Sequence, residues 1–129
     1  MVRKKEIELL KRRALNFLRI AKELFKKEIF DISAFNLKQF CQLYLKYKLL
    51  IKIGEFPKTH SVRDLLLLLG KVSSKENRVK KFLSKNVSLI KNLENAYITS
   101  RYIPIEFEKD EVKGLLKFAK DFKNFVDKL

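Results

Sequence analysis

Residues 33–52 constrain this chain more than any other stretch. Phe35, Leu37, Phe40, Cys41, Leu43, Tyr44, Leu45, Tyr47, Leu49, Leu50 and Ile51 fall on nearly every side of a helix. A helix that is apolar all round has to be surrounded, by its own chain or by a partner subunit. Asp31 or Ser33 is placed to cap its start, and the helix is expected to run to about Lys52. Gly54 stops it and Pro57 prevents it from resuming. Gln39, Gln42 and Lys46 are polar groups embedded in this segment, and each needs a partner if it is buried.

The rest of the chain supplies amphipathic helices to wrap the central one. Over residues 4–28, Ile7, Leu10, Ala14, Phe17, Leu18, Ala21, Leu24 and Phe25 recur at three- and four-residue steps. His60 precedes Ser61-Val62-Arg63-Asp64, a capping box with Asp in place of Glu, and a short helix follows to Gly70. Lys71 to Asn77 reads as a loop, after which Val79, Phe82, Leu83, Val87, Ile90, Leu93 and Tyr97 predict one long fourth helix. Glu106 to Asp110 is an acidic connector with Asp110 as a cap, and Val112, Leu115, Leu116, Ala119, Phe122 and Val126 make the core face of a last helix. Only three glycines and two prolines occur in 129 residues, so the fold class is all-α. The architecture expected is an up-and-down bundle of four to five helices in one domain, 1–129.

The fourth helix ends in Ala96-Tyr97-Ile98-Thr99-Ser100-Arg101-Tyr102-Ile103-Pro104. A residue before proline is pushed out of the α region, so the helix stops at or before Ile103. Arg101 in the last turn offers a planar, five-donor group to a phosphate or carboxylate, or locks the turn through an intramolecular ion pair. Lys46, His60 and Arg101, if they converge, make a compact cationic pocket for a phosphate or nucleotide. A lone histidine at a turn is also commonly a structural residue bonded to backbone.

Thirty basic residues against fifteen acidic give a net charge of +15, which attracts polyanions or an acidic partner and says nothing of fold. Over 71–92, seven basic residues face one acid, Glu76. Lys75, Arg78, Lys80, Lys81 and Lys85 are therefore candidates for nucleic-acid contact, with a solvated helix face as the plain alternative. The lysine-heavy balance is also a thermophile-like trait.

Much chemistry is excluded by residue type. One cysteine and one histidine exclude an intrachain disulfide and the usual zinc spacings. The isolated glycines form no phosphate loop, and no serine sits in a nucleophile elbow. No cofactor is expected. The N-terminus carries no apolar signal region and the longest apolar run, Leu65 to Leu69, cannot span a membrane, so a cytoplasmic protein is expected.

Four segments, in order, resemble the HEPN family (higher eukaryotes and prokaryotes nucleotide-binding). Phe17-Leu18-Arg19-Ile20-Ala21-Lys22-Glu23-Leu24 is similar to the family's first helix. Gln39-Phe40-Cys41-Gln42-Leu43-Tyr44-Leu45-Lys46 is similar to its Q-x-x-E-x-x-L-K pattern, with Gln42 where glutamate is usual. Thr59-His60-Ser61-Val62-Arg63-Asp64-Leu65-Leu66 resembles T-H-x-L-x-x-L-L, and Ser100-Arg101-Tyr102-Ile103-Pro104 resembles S-R-Y-P with Ile103 inserted. The resemblance implies a homodimer, a nucleotide or phosphorylated ligand, and a separately encoded minimal nucleotidyltransferase partner in a toxin–antitoxin-like pair. HEPN ribonucleases are implied to need an arginine followed four to six residues later by a histidine, and none follows Arg101. A non-catalytic ligand binder is the expectation, with Arg101, Lys46, His60, Tyr102 and Gln39 as ligand-binding residues. A basic RNA- or tRNA-binding module and a ribonuclease toxin are the alternatives.

Overall fold

A computed structural model of the chain describes residues 2–102 and 106–129, and the side chains of these except residues 2 and 98–101. Six helices are described: α1 Val2–Lys26, α2 Phe30–Ile53, α3 Val62–Val72, α4 Glu76–Lys85, α5 Val87–Tyr102 and α6 Lys109–Asp127. No strand occurs among the described residues.

The apolar-all-round helix is the hub. α2 packs against α1, α3, α5 and α6, so its many apolar sides are covered from within the chain. Leu37, Phe40, Cys41, Leu45 and Leu49 are fully enclosed. Phe40 meets Phe122 of α6 edge-on, with centroids 6.1 Å apart. Each such ring contributes about 1.5–3 kcal/mol of hydrophobic burial. The Tyr44 hydroxyl donates to the Asp127 carboxylate, which also accepts from Lys123 Nζ at 3.0 Å, so the end of α6 is pinned to the hub.

α1 lies along α2 through two small residues, Ala14 and Ala21, both fully buried. Ser33 Oγ donates to the Ala21 carbonyl at 2.7 Å across that contact. Gly54 closes α2 in the left-handed conformation (φ 74°) that glycine adopts without a Cβ penalty. Gly70 serves close packing: a Cβ there would sit 2.6 Å from Val79 Cγ2, so α3 and α4 approach only because it is absent.

Several boundaries differ from the sequence expectation. α2 begins at Phe30 with no side-chain cap. Asp31 instead accepts the Phe107 N–H at 2.6 Å, which ties the approach to α6 onto the start of the hub. Ser61 does cap α3, accepting the Asp64 N–H at 3.1 Å, but its own N–H goes to Thr59 Oγ1 rather than to Asp64. α3 runs past Gly70 to Val72, so the loop shrinks to residues 73–75, with Ser74 at φ 56°. The single long fourth helix is two, separated at Asn86, whose side chain turns back to the Phe82 carbonyl at 2.9 Å. α6 starts at Lys109 with Glu108, not Asp110, in the N-cap position, and Glu111 accepts the Glu108 N–H at 2.9 Å.

Candidate functional site

One side of α2 carries Lys38, Gln39, Gln42 and Lys46 at three- and four-residue steps, a polar stripe that follows Phe35 on the same side. Across from it lie the connection into α3 and the middle of α5.

Lys38 is the anchor and is 1% exposed. Its ammonium donates to Gln42 Oε1 at 3.0 Å and to the His60 carbonyl, and lies 3.6 Å from Glu94 Oε2 of α5. The other Glu94 oxygen accepts the Val62 N–H at 2.6 Å, satisfying an orphan donor at the start of α3. Burial pushes the Lys38 pKa below its ordinary value, the Glu94 carboxylate opposes that, and the like charge of Lys46 adds to the fall.

The bonds of Lys38 determine the state of His60. A lysine has only donors, so the Gln42 oxygen faces Lys38 and the Gln42 amide nitrogen faces His60 Nδ1, 2.9 Å away. Nδ1 of the neutral ring then accepts, and Nε2 carries the hydrogen. His60 is exposed, and its ring stacks with Tyr97 of α5 at 5.7 Å and 19°. Tyr97 also stacks with Phe35 at 6.0 Å and has the Lys38 ammonium 5.5 Å from its centroid.

Lys46 ends the stripe one turn beyond Gln42. It is 8% exposed, and its Nζ lies 5.2 Å from the Phe56 ring centroid. Among the described residues it has no hydrogen-bond acceptor and no carboxylate, and burial holds its pKa below the ordinary range. The stem is enclosed while the ammonium sits at the rim, supported by one ring face and with no anion beside it among the described residues.

The structure brings His60 together with Gln42, while Lys46 lies one turn farther along α2, beside Phe56. The Gln39 Oε1 is buried without a hydrogen-bond partner among the described residues. Arg101 lies in α5 four residues after Tyr97, but its side chain is outside the described residues, as are Ile103 and Pro104. Tyr102 is largely exposed at the end of α5.

Lys38, Glu94 and Tyr97 carry the cluster, and the sequence reading assigned no site role to any of them. No local signal separates Lys38 from Lys52 of the same helix, which is exposed; its Glu94 partner lies on another helix.

In the basic segment Arg78, Lys81 and Lys85, at i, i+3 and i+7, share one exposed side of α4. Lys80 faces away from that side, toward α3, and Lys75 is occupied by the Lys128 carbonyl at 2.7 Å.

Among the described residues no group of three or more His, Cys, Asp or Glu is placed to hold a metal ion. No helix among them is long and apolar enough to cross a membrane.

The family model for the HEPN domain matches residues 7–129, nearly the whole chain. The chain belongs to the HEPN family. No curated protein and no solved structure matches it. In this HEPN chain the single histidine lies at the entrance of α3 and not downstream of Arg101.

Proposed function

We propose that this HEPN protein binds a nucleotide or another phosphorylated ligand and does not cleave RNA. The observation that carries the reading is Lys46, a mostly buried side chain whose ammonium has no anion among the described residues, one helical turn beyond the Gln42 that contacts His60. Lys46 and Arg101 take phosphate oxygens. His60 offers Nε2–H, Gln39 offers its unpaired amide oxygen to a ligand N–H or O–H, and Tyr97 with Tyr102 supplies ring contacts for a base. RNA cleavage lacks its proton carrier, because no histidine follows Arg101.

The protein acts in this reading as a single cytoplasmic domain that homodimerises and pairs with a minimal nucleotidyltransferase. Exposed Ile51, Ile53 and Phe56 beside the Lys46 end of α2 are the apolar surface that a second copy would cover.

Titration calorimetry with ATP, AMP and inorganic phosphate tests the ligand claim on wild type, Lys46→Met and Arg101→Ala. Binding that falls at least ~tenfold in both variants supports it. Binding untouched by either refutes it. Cleavage of single-stranded RNA that disappears in Arg101→Ala would overturn the non-catalytic reading, and a monomer in sedimentation equilibrium at micromolar concentration the dimer.

A second reading rests on the shared exposed side of Arg78, Lys81 and Lys85. It predicts RNA binding that weakens steeply with salt, survives Arg101→Ala and is lost when these three are replaced by glutamine.

A further inference from the structure

On the far side of Glu94 from Lys38 a cavity of about 660 Å³ opens between α3, α4 and α5. Its floor is aliphatic: Leu67, Leu83, Val87 and Ile90. Leu83 and Ile90 are buried, but Val87 is 60% exposed in the first turn of α5. It comes directly after the helix break at Asn86.

Arg63, Lys80 and Lys91 stand around this floor, all exposed and without an ion pair among the described residues. The one acid in the wall, Glu94, is held by Lys38 and the Val62 N–H and is not available to them. The groove continues along the α3–α4 seam into a second cavity of about 320 Å³ that shares Leu67 and Lys80 and reaches Lys71, with the acid Glu76 beside it. From residue 63 to residue 71 the α3 wall extends about 12 Å, slightly more than two helical turns.

We propose that this groove is the docking site for an acidic amphipathic helix of a partner protein. Such a helix presents apolar anchors at i, i+3 or i+4 and i+7, which match two turns of an aliphatic floor. Acidic residues beside the anchors meet Arg63, Lys80, Lys91 and Lys71, and the match in sign fixes orientation and speeds encounter. The floor itself argues against single-stranded nucleic acid or a nucleotide, because no aromatic face lines it for a base to stack on. The site includes neither Lys46 nor His60, and its test does not depend on the nucleotide reading.

The test is a selection from a displayed library of random helix-permissive peptides of about 14 residues, applied to the immobilised full chain. Val87→Glu and the double variant Lys80→Glu/Lys91→Glu are used in parallel as counter-selections. Both change exposed residues, and unchanged thermal melts establish that the variants fold.

Peptides enriched on wild type and lost on both variants are expected to carry acids flanking leucine-like anchors at helical spacing. One such peptide, fluorescein-labelled, is expected to lose at least ~tenfold in affinity on either variant and to bind Lys46→Met as it binds wild type. The proposal is overturned if no sequence is enriched on wild type over Val87→Glu, or if enriched sequences lack acids or helical spacing. Displacement of the labelled peptide by ATP or by a short RNA also overturns it, since the groove would then be a nucleotide or polyanion site.

Discussion

Lys38 and Lys46 lie on one stripe of one helix, both nearly buried, and replacing each with methionine is predicted to change stability in opposite directions. Methionine keeps most of the stem and removes the charge. At Lys46 the loss frees the fold from enclosing an ammonium that has no anion, a cost of several kcal/mol for a fully interior ion. The group is at a rim and the Phe56 ring returns about 0.5–1 kcal/mol, so the net gain is about 1 kcal/mol. At Lys38 the same change leaves the Gln42 oxygen, the His60 carbonyl and one Glu94 oxygen without their donor. Breaking a buried pair costs about 3–5 kcal/mol, and the low end applies because the Glu94 side chain is 31% exposed. The unfolding entropy of a 129-residue chain is about 0.27 kcal/mol/K. Lys46→Met therefore raises Tm by ~4 °C and Lys38→Met lowers it by ~11 °C, measured by circular dichroism at neutral pH. A Lys46→Met protein that melts well below wild type would refute the reasoning, because it would mean that this ammonium already has a partner within the chain.

Three further outcomes are expected. Burial works to raise the Asp127 pKa, but bonds from Tyr44 and Lys123 outweigh it and the carboxyl sits below its ordinary 3.8. The stability it supplies is complete above that value and disappears as pH falls through the lower folded one, so Asp127→Asn flattens the acid limb of Tm against pH. At 40% side-chain exposure the effect is screened to less than about 1 kcal/mol, and an unchanged acid limb would contradict it. Gly70→Ala drives a methyl into Val79 and costs about 1–3 kcal/mol, and with Val79→Ala in the same chain the total loss is smaller than the sum of the two singles by denaturant titration. Cys41 is fully buried and its thiol pKa is pushed well up by burial, so a thiol reagent labels it only with the kinetics of unfolding, and rapid labelling of native protein would refute this.

The bundle was legible because its signals are local. The Ala14–Ala21 stripe, the Ser61 cap and the Gly54 stop each depend on neighbours within a few residues. The central position of α2 followed from apolar residues on nearly every one of its sides. Asn86 was not legible, because the apolar spacing from Val79 to Tyr97 runs through it unbroken. Asp31 reads locally as a cap, and its bond to Phe107 spans 76 positions. In the site, His60 and Lys46 were recognisable as isolated polar groups, whereas Lys38 looked like one surface lysine among many. What distinguishes it is Glu94, a residue 56 positions away on another helix.

That carboxylate has one further consequence. Glu94 balances the interior charge of Lys38 with one oxygen, holds the first turn of α3 with the other, and lines the aliphatic groove with its flank. The two surfaces of this protein therefore share a wall whose electrostatics cannot be altered on one side only. Substitutions that reach Glu94 from either side should combine non-additively with those on the other, while pairs that avoid it, such as Lys46 with Val87, should simply sum.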